Sequence, residues 1–352
     1  MRVLFIKSPV SKLDNIQDYL LPPWADVIKP PYRGCPVNVE RYDYIVVYNY
    51  MHYTLFRHDC CLADAYQRVP VLGFEVMDSE EPSKIWAPFL SRLEGLLLLS
   101  RYQYRLFSSF ARFPLMEVVY PRYDWVRAVE KSERVRAAVE PISDRYIVLA
   151  FIDSNPVREG ADRIAWLLKK STRSRSFGVL LKMTPDVCKV RDGRPYTGVR
   201  MLDEAIRECL GRSCVVICDF LPRGEYLDLY RVSTVVFHPS SIGAFEAHLA
   251  EAMAMLKPVI CAGPLCKEMT GYEAGEAERV CLDPWALEDR YLYERICGYM
   301  LRVPLPIGRL VNRYERIFDE QYDMMMFWRN RGMRRLIEDW GRIEDKIAEY
   351  FK

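Results

Sequence analysis

The 352 residues are half hydrophobic and 13% aromatic, a composition that builds buried cores, at a length that predicts two domains, and that lies outside the range of disordered chains. Charged side chains make up 28%, yet the formal net charge is only +2, which excludes a chain-wide polyanion-binding surface and leaves room only for local basic patches. No run approaches the roughly 18–20 uninterrupted apolar residues of a membrane span, and the segment from Met1 to Lys7 is too short for a signal-peptide core. A cytoplasmic protein, at most peripheral at a membrane, is expected.

In chain order, Val3–Ile6 reads as a first strand. Apolar runs at Tyr44–Val47, Val69–Gly73, Gly95–Leu99 and Met116–Val119 read as further strands buried on both faces, with helical spacing at Thr54–Gln67 and Arg101–Phe113. Such alternation predicts βαβ units on a parallel sheet. Glu75 and Asp78, near the end of the third run, read as ordinary loop carboxylates. The rhythm breaks at a charged helical stretch, Glu130–Val139, followed by Pro141-Ile142-Ser143-Asp144. The domain boundary is placed there, giving an N-terminal domain over 1–140.

From Tyr146–Phe151 the pattern restarts, with strands at Phe177–Lys182, Val215–Cys218, Thr234–Phe237 and Val259–Ala262. Helices at Asp162–Lys170, Met201–Leu210, Gly224–Arg231 and Phe245–Met255 alternate with them and complete a second domain over 141–309. Two consecutive parallel α/β halves predict two Rossmann-like domains facing a cleft, with ligands off the carboxyl ends of the strands. After Pro284 no strand is predicted, and Leu310–Lys352 reads as a helical tail broken near Gly332 and packing back across the domains. Within it, apolar Met324–Trp328 followed by clustered arginines also fits an interfacial helix drawn to anionic lipids. Nucleic-acid binding is not expected, because no recognition module accompanies those arginines.

The eleven cysteines contain no Cys-x-x-Cys pair and the four histidines no metal-binding spacing, so no structural zinc site is predicted. Two readings of the thiols stay open. Cys214 and Cys218, inside Cys-Val-Val-Ile-Cys, fit buried free thiols. Abundant arginine with few Gln and Asn fits instead a thermophile that tolerates intracellular disulfides.

The most informative stretch is Phe237–Pro264. A strand ends at His238-Pro239-Ser240-Ser241, a small-residue turn follows, and a helix starts near Gly243–Phe245. Free amides and the positive end of a helix dipole at such a turn suit a phosphate. Glu251 is a lone carboxylate in an otherwise apolar Ala/Leu/Met face of that helix, so it needs either a partner or a ligand hydroxyl. His238 reads as a structural histidine.

Ser240 through Ile260 resembles the nucleotide-sugar signature of retaining GT-B glycosyltransferases, the glycogen-synthase and mannosyltransferase-like group 1 enzymes. Pro239-Ser240 match its Pro-Ser, and Glu251-Ala252-Met253-Ala254 its Glu-Ala-Met-Ala. Phe220-Leu221-Pro222-Arg223-Gly224-Glu225, Leu99-Ser100-Arg101 with Pro121-Arg122-Tyr123-Asp124, and Arg158-Glu159-Gly160-Ala161-Asp162 are similar to flanking segments in the same order. The resemblance implies Glu251 on the donor ribose and the backbone of Phe220 and Leu221 around the base. It implies Ser240, Gly243, Ala244 and Phe245 at the phosphates. Gly243 stands where the group has its first glutamate, with Glu246 one helical turn on as a substitute. The two positions of the group's arginine–lysine diphosphate clamp fall on Asp153 and Glu159, leaving Arg158 and Lys182 as replacement cations.

What this implies is a metal-independent hexosyltransferase with no cofactor beyond a nucleotide-diphosphate-sugar donor, acting with retention on a glycan, lipid or protein acceptor. The loops Leu21-Pro22-Pro23-Trp24 and Lys29-Pro30-Pro31-Tyr32 fit an aromatic-lined acceptor surface. The reversed charges at Asp153 and Glu159 equally fit a GT-B scaffold that binds a nucleotide sugar or a partner without turnover. A GT-B-like epimerase is a third reading.

Overall fold

The computed structural model describes residues 2–7, 25–28, 38–48, 68–75, 87–110, 112–118, 131–270 with short gaps at 154–155, 157–158, 176, 241–245, 256, 258 and 262–263, and the pairs 278–279 and 301–302. Contacts divide the chain into two compact units, one holding a six-stranded sheet and the other a five-stranded sheet.

The first sheet is built from β1 (Val3–Ile6), β2 (Asp26–Ile28), β3 (Tyr44–Tyr48), β4 (Val71–Glu75), β5 (Gly95–Leu98) and β6 (Leu115–Val118), in the order β2-β1-β3-β4-β5-β6. Every pairing is parallel. All residues of β1, β3, β4 and β5 are buried, as unbroken apolar runs require when both faces of a parallel sheet are covered. Helix α1 (Ala87–Leu90) and helix α2 (Arg101–Phe110) flank β5. Phe107 of α2 packs with Leu4, Ile45, Val47, Leu96 and Leu98. Phe5, Tyr48 and Phe74 form a separate aromatic row, with ring centroids at 6.4 and 5.6 Å. Glu75 is not a loop carboxylate: it is the last residue of β4 and is buried. Pro70 before the strand cannot donate to the ladder, so the strand starts two residues later than the apolar run.

The second unit opens with α3 (Glu133–Val139), capped by Ser132, whose hydroxyl accepts from the Val135 amide at 3.2 Å. The Ser132 amide itself donates to Asp228 at 2.9 Å. Strands β7 (Tyr146–Ile152), β8 (Phe177–Met183), β11 (Cys214–Ile217), β12 (Val235–His238) and β13 (Val259–Cys261) pair in parallel in the order β11-β8-β7-β12-β13. Between them run α4 (Ala161–Ser171), α5 (Arg200–Cys209), α6 (Arg223–Val232) and α7 (Ala247–Ala254), with α8 (Pro264–Thr270) after β13. Val148, Ala150, Leu168, Leu181, Ile206 and Phe237 share one core.

Two elements lie outside the expected pattern. A hairpin of β9 (Lys189–Arg191) and β10 (Arg194–Tyr196) follows β8. It turns on Asp192 and Gly193, both at positive φ, the backbone an Asp-Gly hairpin turn requires. Strand β14 (Glu278–Arg279) pairs antiparallel with β15 (Leu301–Arg302), which corrects the expectation of no strand after Pro284. Two-residue strands carry no alternation to read.

The free-thiol reading of Cys214 and Cys218 is also corrected. Disulfides join Cys188 to Cys218, Cys209 to Cys214 and Cys261 to Cys266. Neighbouring strands β8 and β11 end side by side, which brings Cys188 and Cys218 to a Cα separation of 5.4 Å, within the range a disulfide spans. Among the described residues no helix is long and apolar enough to cross a membrane. The Thr54–Gln67 helix and the 310–352 tail lie outside the described residues.

Candidate functional site

The polar side chains of the second unit converge where β7, β8, β11 and β12 end. β7 runs straight into Asp153, whose amide donates to Glu159 Oε2 at 2.6 Å and whose carbonyl accepts from the Thr184 hydroxyl after β8. Gly160, the N-cap of α4, takes φ +74°, and an added Cβ would stand 2.8 Å from the carbonyl oxygen of Pro239. Only glycine allows α4 to start this close to the Pro239-Ser240 turn. Arg163 of α4 then donates to that same Pro239 carbonyl at 2.6 Å.

From Asp153 a chain of hydrogen bonds leads inward. Its Oδ2 lies 2.7 Å from Nε2 of His248, in the first turn of α7. Nδ1 of His248 lies 2.7 Å from the Tyr226 hydroxyl and 3.3 Å from that of Tyr230, and the two hydroxyls are 3.4 Å apart. The Tyr230 hydroxyl donates to Glu251 Oε2 at 2.6 Å, and Arg223 Nη2 donates to Glu251 Oε1 at 2.7 Å. Phe151 of β7 stacks flat on the His248 ring at 4.1 Å. Glu251 is 4% exposed and His248 16%, whereas the Asp153 side chain is 37% exposed. The ladder therefore runs from a half-buried carboxylate to a fully buried one.

Its electrostatics follow from that placement. Burial works to strip the proton from His248, but the charge and hydrogen bond of Asp153, with Glu251 and Glu159 behind them, outweigh it and raise the pKa to about 9. The same burial raises Asp153 and the imidazolium lowers it, with the net result below the ordinary value. Tyr226 and Tyr230 are pushed well up, by burial first and Glu251 next, so both keep their protons. At neutral pH Asp153 is a carboxylate, His248 an imidazolium and both tyrosines phenols, and the inner end is the Arg223–Glu251 ion pair. Each buried charge then faces an opposite one.

The other expected site residues are placed as follows. Lys182 is buried, donates to the Met183 carbonyl at 2.6 Å and has its pKa lowered by burial against the pull of Asp153 and Asp219. Ser240 is buried beyond β12. Glu246 is the N-cap of α7, and its carboxylate lies 2.7 Å from Nε2 of the buried His238. Phe220 is 68% exposed, and Leu221 lines a cavity of about 360 Å³ beside it. That cavity lies between α3, the β9–β10 hairpin and the end of β11, walled by Val135, Val190, Pro195 and Ile217. Asp219 on its lining is bonded by Arg134 at 2.8 Å. Arg158, Gly243, Ala244 and Phe245 lie outside the described residues. Among those described, no cluster of His, Cys, Asp and Glu is arranged to hold a metal ion.

Sequence reasoning missed His248, Tyr226 and Arg223 as parts of the site. One signal was available: His248 and Glu251 stand three apart on a helix and so share a face. Asp153 was singled out through the resemblance, but nothing pointed to its pairing with His248, 95 residues away.

Comparison with solved structures gives the fold. HepE of Anabaena, solved in complex with UDP and glucose, superposes with a TM-score of 0.62 at 14% identity, covering 99% of this chain and 100% of that one. Sucrose-phosphate synthase from Thermosynechococcus elongatus gives 0.61 at 14% identity, with 99% and 100% covered. TarM gives 0.54 at 10% identity over 85% of this chain, which spans only 54% of TarM's length. The chain shares with them an architecture of two Rossmann-like domains, the GT-B fold. No protein-family model and no curated protein sequence matches the chain.

Proposed function

We propose that this chain is a glycosyltransferase that moves a hexose from a nucleotide-diphosphate-sugar donor to an acceptor hydroxyl with retention of configuration. The observation that carries the reading is Glu251, a carboxylate held by Arg223 and Tyr230 on the first helix after β12, in the motif order read from the sequence. Each Glu251 oxygen accepts one of these hydrogen bonds and has a second lone pair for a ribose hydroxyl. HepE, solved in complex with UDP-glucose and superposing on 100% of this chain and 99% of its own, supports a UDP-linked hexose as the first donor to try.

In this reading the amides before α7, with Ser240, receive the diphosphate, and Leu221 and its cavity receive the base. Glu246 stands beside the sugar, and Lys182 and Arg158 add positive charge. The bond from the anomeric carbon to the diphosphate oxygen breaks and one to the acceptor oxygen forms, while the acceptor's proton leaves with the diphosphate. The protein's part is to position donor and acceptor and to stabilise the departing charge.

A second reading is favoured by Asp153 and Glu159, two carboxylates joined through the Asp153 amide where the resemblance calls for cations. It is a scaffold that binds a nucleotide sugar without turnover.

Thermal shift against UDP-, GDP-, ADP- and dTDP-sugars tests both. Ligand at 100 times its dissociation constant adds about 2.7 kcal/mol to stability. No shift with any of them rejects a donor site. With binding in hand, Glu251→Ala weakens affinity and Glu246→Ala chiefly lowers turnover. Binding without slow donor hydrolysis leaves the scaffold.

A further inference from the structure

We propose that His248 is a positioning residue of the donor site, holding Asp153 on one ring nitrogen and orienting Glu251 through Tyr226 and Tyr230 with the other. This rests on the donor-site reading above and goes beyond it, since nothing in the sequence motif assigns a role to a histidine at this position.

The geometry is directional. A protonated imidazole has two N–H donors and no acceptor. Nε2–H then donates to Asp153 and Nδ1–H to the Tyr226 oxygen, both at 2.7 Å. The ring reaches the Tyr230 oxygen directly, 3.3 Å from Nδ1, and through the Tyr226 hydroxyl 3.4 Å from it, while Tyr230 keeps its own proton for Glu251 at 2.6 Å. Nδ1 also lies 3.9 Å from Glu251 Oε2, an ion pair while the ring is charged. Phe151, stacked on the ring at 4.1 Å, fixes its plane. When the proton leaves, Nδ1 becomes an acceptor and the Tyr226 hydroxyl turns towards it. Tyr230 then loses a donor, and Glu251 loses its nearby cation.

The groups that face His248 set this balance. They are Asp153 beyond β7, Glu159 before α4, Tyr226 and Tyr230 on α6, His238 ending β12 and Glu251 on α7; Arg223 acts through Glu251 and Glu246 through His238. Lys182 on β8 acts through Asp153. With Asp153 the strongest partner, the ring is charged at neutral pH and loses its charge near pH 9.

Two measurements on the full chain test the proposal. The first is an NMR titration of the His248 imidazole without ligand, among only four histidines. Glu251→Gln and Tyr226→Phe are each expected to lower its midpoint. The second is calorimetric binding of UDP and of UDP-glucose between pH 6.5 and 10, in wild type and in His248→Gln. At pH 7 the variant is expected to bind about tenfold more weakly, the effect of one hydrogen bond to a charged group. The affinity ratio of wild type to variant cancels titration of the probe itself, and it is expected to fall to about one as pH passes 9. Tyr226→Phe, which leaves the Asp153 pair and the direct contact to Tyr230 intact, is expected to reproduce part of the weakening and serves if His248→Gln does not fold. A merely structural histidine would alter stability without making that ratio depend on pH. A His248 midpoint indifferent to both Tyr226→Phe and Glu251→Gln overturns the proposal. So does binding with a ratio that is flat in pH, although the donor-site reading then survives. Wild type that binds neither probe overturns both.

Discussion

Glu251 shows how a single buried carboxylate organises its surroundings. At 4% exposure it has little water to solvate it, so its charge rests on Arg223 and on the Tyr230 hydroxyl. Removing one donor from a buried charge costs about 1.5–3 kcal/mol. Tyr230→Phe, which deletes one oxygen and keeps the ring packing, is therefore expected to lower the urea-unfolding free energy by that amount. Tyr104→Phe, on the exposed face of α2, is expected to change it by less than about 0.5 kcal/mol. The pH dependence has a definite sign. His248 has a folded pKa near 9 against an ordinary 6.5. Its contribution is complete below 6.5 and is lost as pH rises through 9. Asp153 is held below its ordinary 3.8, so its contribution is complete above that value and is lost as pH falls through the lowered one. The pair stabilises most between about pH 4 and 6.5. Denaturation curves from pH 6 to 10 are expected to show a decline that His248→Gln abolishes.

At the scale of elements, the site depends on how α4 and the β8–β11 edge are pinned. Gly160 lets α4 begin against the Pro239 carbonyl. Gly160→Ala combines an unfavourable positive φ with that contact, and a loss of about 1–3 kcal/mol is expected by urea denaturation. Disulfides tie the neighbouring edge. In the chain-entropy picture a 30-residue loop such as that between Cys188 and Cys218 contributes about 3–4 kcal/mol. A 5-residue loop such as Cys209 to Cys214 contributes about 2 kcal/mol. The Cys188→Ala/Cys218→Ala pair is accordingly expected to lower Tm more than the Cys209→Ala/Cys214→Ala pair. Limited proteolysis is expected to cut the β9–β10 hairpin faster in the first pair alone, because, of these two disulfides, it is Cys188–Cys218 that ties the residue before β9 to the end of β11. Equal cutting in both pairs would show that the hairpin is held by other contacts.

Across the whole molecule, legibility followed burial and length. Strands such as β3, β4 and β8 are buried throughout and apolar at nearly every position because both faces are covered, and such runs can be read directly. β2, the β9–β10 hairpin and the β14–β15 pair are too short or too exposed to carry a period, although Asp192-Gly193 was a turn signal that could have found the hairpin. In the site, the need of Glu251 for a partner was legible from its apolar helix. The partners themselves were not, because α6, α7 and the end of β7 meet only once the sheet order is set. That order also says where ligand effects belong. Strand ends of a doubly wound sheet present their amides and side chains together, so a donor bound at Glu251 touches loops that are far apart in sequence. Hydrogen exchange of the full chain with saturating UDP-glucose is expected to slow at 181–184, 218–226 and 246–254 simultaneously. The strands of the first sheet are expected to keep their ligand-free rates. Slowing confined to 246–254 would place the ligand on α7 alone, and slowing centred on β1 to β6 would move the donor site out of the second unit altogether.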